Sequence, residues 1–138
     1  MGLRFYFAAR FQKRFELRPF RQQLEALGHI VTSRWLDAEG EDPDNLALCA
    51  GEDLVDVTTA DAVVNFTEEP RGASRGARHC EFGIGLALNK KLVIVGPREH
   101  AFHFLPQVEC FASWADFLGQ SAAGPAASFA ETCRCRSR

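Results

Sequence analysis

Two carboxylates and a phenol stand where an acid–base or nucleophilic step could use them. Glu81 lies in RHCEFG, near the start of a helical stretch and behind the glycine-containing loop 72–76. A helix N-terminus favours an ionised carboxylate. Such a group can act as nucleophile at an anomeric carbon, where an oxocarbenium-like transition state wants an anion beneath it. Glu81 would equally serve to satisfy helix-end amides. Asp53, in GEDLVDV, has Asp56 one helical turn further on nearly the same face. One of them suits a general acid and the other a solvated surface charge. Tyr6 points away from the face that carries Phe5 and Phe7, so its hydroxyl either reaches a site at the sheet edge or packs in the core.

Cations and rings follow the same strands. Arg10, Lys13 and Arg14 come after the first apolar run, where a phosphate would meet main-chain amides and guanidinium groups. For Lys13 and Arg14 a solvated helix face is the competing reading. Phe11 and Trp35 follow strands and are the rings singled out to stack on a base, although with 12 phenylalanines most aromatic residues must be core. Arg75, Gly76, Arg78 and His79 follow the third strand and are taken as substrate-contacting. His79, His100 and His103 lack a carboxylate or cysteine at a recognisable ligand spacing, and Cys133 and Cys135 form a C-x-C pair without a partner C-x-x-C. No metal or organic cofactor is expected.

The elements that must position these groups can be read from periodicity. Residues 3–9 form an apolar-aromatic strand, 12–27 a helix ended by Gly28, and 29–35 a second strand. The acidic loop 37–44 is the candidate lid. A helix at 45–59, a strand at 61–67, a helix at 76–89, a strand at 91–96 and a short helix at 113–118 complete the order. Alternation of strand and helix implies a parallel sheet with right-handed crossovers. The fold class is therefore α/β, a flavodoxin-like doubly wound parallel sheet with helices on both faces, in one domain. Ligands in such sheets sit beyond the carboxyl ends of the strands, where the strand order reverses. Residues 1–120 form this domain, and 121–138, rich in Ala, Ser and Gly, form a loosely ordered tail.

With 138 residues, 46% hydrophobic and 25% charged, the chain has the composition of a globular protein and is too short for two ordinary cores. Its apolar runs are too short to cross a bilayer, and no signal peptide is evident at residues 1–10. Five cysteines, an odd number, suggest reduced thiols. A cytoplasmic location is expected, with no membrane partner. The net charge of −2 becomes −4 when the arginine-bearing tail is set aside, which argues against binding a nucleic acid polymer.

FYFAARF at 5–11, EDLVDVTTADAVV at 52–64 and RHCEFGIGLALNKKLVIVGP at 78–97 together resemble the nucleoside 2-deoxyribosyltransferases. They resemble equally the related enzymes that hydrolyse the N-glycosidic bond of nucleoside 5'-monophosphates. The resemblance implies that Glu81, in an E-F-G that matches the family's E-L-G, is the nucleophile forming a deoxyribosyl-enzyme intermediate. It implies that Asp53 protonates or orients the base and that Tyr6 holds the Glu81 carboxylate in line. It further implies a nucleoside or nucleotide substrate and a homodimer or larger homo-oligomer, with contacts near 97–106. Where family transferases often have an aspartate six residues before the nucleophile, this chain has Arg75. With Arg78 and Arg10 that points to a negatively charged substrate. The sugar passes to another base or to water. The alternative is a non-catalytic nucleotide-binding or sensing module on the same fold.

Overall fold

The structure, a computed structural model, describes residues 2–69 and 76–122. Five parallel strands, β1 (Arg4–Ala8), β2 (Ile30–Val31), β3 (Ala62–Phe66), β4 (Lys91–Val95) and β5 (Val108–Phe111), form one sheet in the order β2-β1-β3-β4-β5. Its register pairs Tyr6 with Val63 and Ala8 with Asn65 across β1 and β3. The order reverses between β1 and β3, so the ligand crevice of a doubly wound sheet belongs beyond those two strand ends.

Alternation along β1 assigns the two cores. Phe5 and Phe7 pack with Leu17, Leu24, Trp114 and Phe117 on one face, under helices α1 (Arg14–Ala26) and α4 (Trp114–Ala122). Tyr6 and Ala8 pack with Val57, Val63, Phe82 and Ile94 on the other, under α2 (Leu46–Thr59) and α3 (Ala77–Ala87). β3 is buried along its whole length, as a central parallel strand must be. Helix α3 lies almost on the sheet. A Cβ at Gly85 would stand 2.7 Å from Val63 Cγ2.

Three expectations change. The second strand is two residues long rather than 29–35, because side chains take over the ladder. The Phe7 amide donates to Ser33 Oγ at 2.6 Å, and the chain then turns into a 3-10 helix at Arg34–Asp37. A fifth strand, β5, lies where periodicity showed only a proline-bounded loop, since four residues at a sheet edge are too few to display a period. Helix α4 continues to Ala122, two residues past the expected domain edge. The rest of the expected tail, with Cys133 and Cys135, lies outside the described residues, as does Arg75. No helix among the described residues is long and apolar enough to cross a membrane.

Candidate active site

A cleft of ≈ 1020 Å³ opens at the reversal point of the sheet. Its floor comes from the segment after β1 (Ala9 to Gln12), its walls from Glu52 and Asp53 of α2 and from Ala77, Arg78 and Glu81 of α3, and its rim from the acidic loop after Trp35. The rim is anchored from below. Arg14 donates to the carbonyls of Ala38 at 2.8 Å and Glu39 at 3.2 Å, and Arg18 donates to that of Leu36 at 2.6 Å. Arg14 is therefore buried, its guanidinium 4.2 Å from the centre of the Phe11 ring, instead of lying on a solvated helix face.

Glu81 is the fifth residue of α3 and projects between helix and sheet. Burial, and then the charge of Asp53, push its carboxyl up to about 8, while the Tyr6 hydroxyl pulls the other way. The expected stabilisation of the anion by the helix N-terminus does not prevail, because that effect fades within the first turn and Glu81 stands beyond it. Asp53 is half-buried. Desolvation, followed by the charges of Asp56 and Glu52, raises its carboxyl to about 6 against the pull of Arg34. Tyr6 is fully enclosed, and its hydroxyl has no hydrogen bond of normal geometry. Burial and then the nearby Glu81 and Asp53 carboxyls drive its ionisation far above the usual phenol range. Glu81, Asp53 and Tyr6 thus share one electrostatic neighbourhood, although they come from three separate elements.

Asp56, the other acid of α2, acts on this group through its charge but does not line the cleft. It is 4% exposed and accepts from the Arg34 amide at 3.0 Å and from the Arg34 guanidinium at 2.8 Å. Its role is to fix the turn that delivers Trp35. The Trp35 indole donates to the Phe7 carbonyl at 2.9 Å, and its ring lies 6.3 Å from that of Phe11, tilted by 36°. The two rings line the same side of the cleft.

The arginines are engaged within the protein. Arg10 donates through Nε and Nη2 to Glu68, and Arg78, 6% exposed, makes a two-pronged pair with Glu99 at 2.9 and 2.7 Å. Neither carboxylate partner figured in the sequence reading. Glu68 lay in sight, directly after the third strand, but Glu99 is 21 residues from Arg78 and could be paired with it only through the fold. Gly76 occupies the N-cap of α3 with φ +89°, a left-handed conformation that glycine adopts without strain. It does not line the cleft, and neither does His79. His79 instead lines a second, apolar cavity of ≈ 570 Å³ with Phe82, His100 and Phe102. His79, His100 and His103 there form the metal-capable group among the described residues.

Solved structures share this fold. The chain is similar to the CMP N-glycosidase BcmB of Clostridium botulinum, with a TM-score of 0.57, 21% identity and coverage of 85% of this chain and 96% of that one. It is also similar to a 2-deoxyribosyltransferase from the psychrotolerant bacterium Bacillus psychrosaccharolyticus, with a TM-score of 0.66, 18% identity and coverage of 83% and 90%. No family model matches the chain, and no curated protein does. At these identities the likeness establishes the flavodoxin-like α/β architecture, and chemistry has to be argued from the side chains.

Proposed function

We propose that the protein cleaves the N-glycosidic bond of a 2'-deoxynucleoside through a covalent deoxyribosyl–Glu81 intermediate, passing the sugar to another base or to water. The observation that carries this reading is that Glu81 and Asp53 meet at one cleft at the sheet's reversal point, with Tyr6 buried in the core and electrostatically coupled to both. The Glu81 carboxyl, protonated in the free protein, passes its proton to Asp53, and the resulting carboxylate attacks C1' as the C1'–N bond breaks. The bonding pair leaves on the base, which takes that proton from Asp53. The acceptor gives a proton back to Asp53 as it attacks C1' and displaces Glu81. Tyr6 holds the carboxylate from below, while Phe11 and Trp35 offer the base a stacking surface. The two structural neighbours, a CMP N-glycosidase and a 2-deoxyribosyltransferase, support this class of chemistry.

The charge of the cleft favours an uncharged nucleoside over its 5'-monophosphate. Among the described lining residues, with Glu81 protonated and Asp37 paired to Arg21, five carboxylates (Glu39, Glu41, Asp42, Glu52 and Asp53) face three arginines, Arg10, Arg34 and Arg78, each of which is already ion-paired. Among these described residues a phosphate meets repulsion before it meets a cation. The apolar stripe that α2 leaves exposed (Leu46, Leu48, Leu54 and Val55) supports a homo-oligomer, and the free thiols of Cys49 and Cys80 support a reducing, cytoplasmic setting.

Chromatography of free base released from deoxynucleosides, ribonucleosides and their 5'-monophosphates, with and without an acceptor base, tests the proposal. Deoxynucleosides should turn over fastest, and Glu81→Gln should abolish release while its circular dichroism stays that of the wild type. Full activity in Glu81→Gln removes the nucleophile from its role. Binding of nucleotides without any turnover makes the protein a sensing module instead.

A further inference from the structure

We propose that His79, His100 and His103 form a site for a borderline divalent transition metal, Zn²⁺ by preference, that pins the segment after β4 onto the first turn of α3. Residue spacing hides this site, because His79 is 21 positions from His100 and the fold alone closes the gap. His79 stands in the first turn of α3. His100 and His103 flank one turn of the 3-10 segment Ala101–Phe104, in which positions three apart eclipse. Their rings are 3.8 Å apart, and one ligand-capable atom from each of the three histidines lies within 4.8 Å of the others.

His79 Nδ1 and His100 Nε2 are 3.1 Å apart. Two imidazole nitrogens each about 2.0–2.1 Å from one zinc at a tetrahedral angle stand about 3.3 Å apart, so a shared ion needs little movement of this pair. The opposite nitrogen of His79, Nε2, lies 3.7 Å from Glu99 Oε2. A carboxylate behind a ligating imidazole is the arrangement that fixes ring orientation and raises ligand basicity. Glu99 is itself held by Arg78 through two hydrogen bonds, so the support is rigid.

His103 is the adjustable third ligand. It is fully buried. Its Nδ1 accepts from the Glu99 amide at 3.0 Å, so its proton sits on Nε2, which has no hydrogen-bond partner. Coordination through Nε2 moves that proton to Nδ1 and gives up the amide bond. Each neutral imidazole then changes tautomer at most, with no net proton loss. His79 and His100 line the ≈ 570 Å³ cavity, from which water or a small anion would complete the shell. Three neutral nitrogen ligands suit Zn²⁺, Co²⁺, Ni²⁺ or Cu²⁺ and not Mg²⁺ or Ca²⁺.

The inference does not depend on the glycosidic reaction and is tested without it. Metal-free full-length protein is titrated with Zn²⁺ by calorimetry, and with Co²⁺ by absorption, in parallel with His79→Gln and His100→Gln, whose folding is checked by circular dichroism. One ion per chain is expected, with visible cobalt bands of a low-symmetry nitrogen site, no thiolate charge transfer, and affinity reduced at least tenfold in each variant. A Cys133→Ser/Cys135→Ser protein should bind as the wild type does. Absence of binding overturns the proposal and leaves a hydrogen-bonded histidine cluster. Binding that survives both histidine substitutions, or cobalt spectra showing thiolate ligation, overturns it as well.

Discussion

Asp53→Asn is expected to make the protein more stable at alkaline pH and less active. Burial, chiefly, pushes the carboxyl up to about 6 in the folded protein from an ordinary value of 3.8. A group with a raised folded pKa binds its proton more tightly in the native state. Its contribution is fully present below about pH 4, and it is lost as pH rises through about 6. At pH 8 the wild type carries a penalty that the amide, close in shape and always neutral, does not. A shift of about two units corresponds to about 3 kcal/mol if taken whole. Asp53 is only half-buried, and solvent screening reduces this to about 1 kcal/mol. For a domain of this size that is a rise in Tm of about 3–5 °C. Differential scanning fluorimetry of both proteins from pH 4 to pH 8 should show melting curves that coincide at the acid end, separate between about pH 4 and pH 6, and stay apart at higher pH. Equal Tm values at pH 8, or a variant less stable there than the wild type, would refute the claim that this carboxylate is held in place against its own desolvation.

Other substitutions probe the frame around the site. Asp56→Ala removes a buried carboxylate that accepts from the Arg34 amide and should cost about 1–3 kcal/mol in urea unfolding, with no comparable gain at any pH. Gly85→Ala drives a Cβ to within 2.7 Å of Val63 Cγ2 and 3.2 Å of Leu92 Cδ2, so it should destabilise by about 1–3 kcal/mol and displace α3. Arg14→Ala removes the Glu39 carbonyl's tether and leaves that of Ala38 only Arg18; we expect a raised KM for the nucleoside with kcat less affected, and an equal fall in kcat and kcat/KM would place Arg14 in the chemistry itself.

What the sequence made legible was mostly local. Alternation in RFYFA is enough to put Tyr6 on the face opposite Phe5 and Phe7, and the order of strands and helices is enough to place the cleft. The protonation of Glu81 was not legible, because burial and a neighbouring Asp53 outweigh the helix end, and both depend on how α2 and α3 pack. β2 shortens for a similar reason: the Ser33 hydroxyl occupies the place of a ladder partner 26 residues away, a contact that strand propensity does not register.

The arginines show why charge is the hardest property to carry from sequence to function. Arg10 and Arg78 follow strands, as anion-binding residues do, and in isolation each would attract a phosphate. In the fold each is already joined to a carboxylate, Glu68 at a sequence distance of 58 and Glu99 at 21. For the Arg78–Glu99 pair, buried on both sides, separation would leave a charge without a partner in a low-dielectric setting, at a cost of about 3–5 kcal/mol. A substrate phosphate would have to repay that cost before binding with any net gain. The selectivity of the cleft therefore turns on Glu99 more than on Arg78. Glu99→Gln should lower discrimination against a deoxynucleoside 5'-monophosphate, measured as the ratio of kcat/KM for nucleotide and nucleoside. An unchanged ratio would mean that Arg78 takes no part in choosing the substrate.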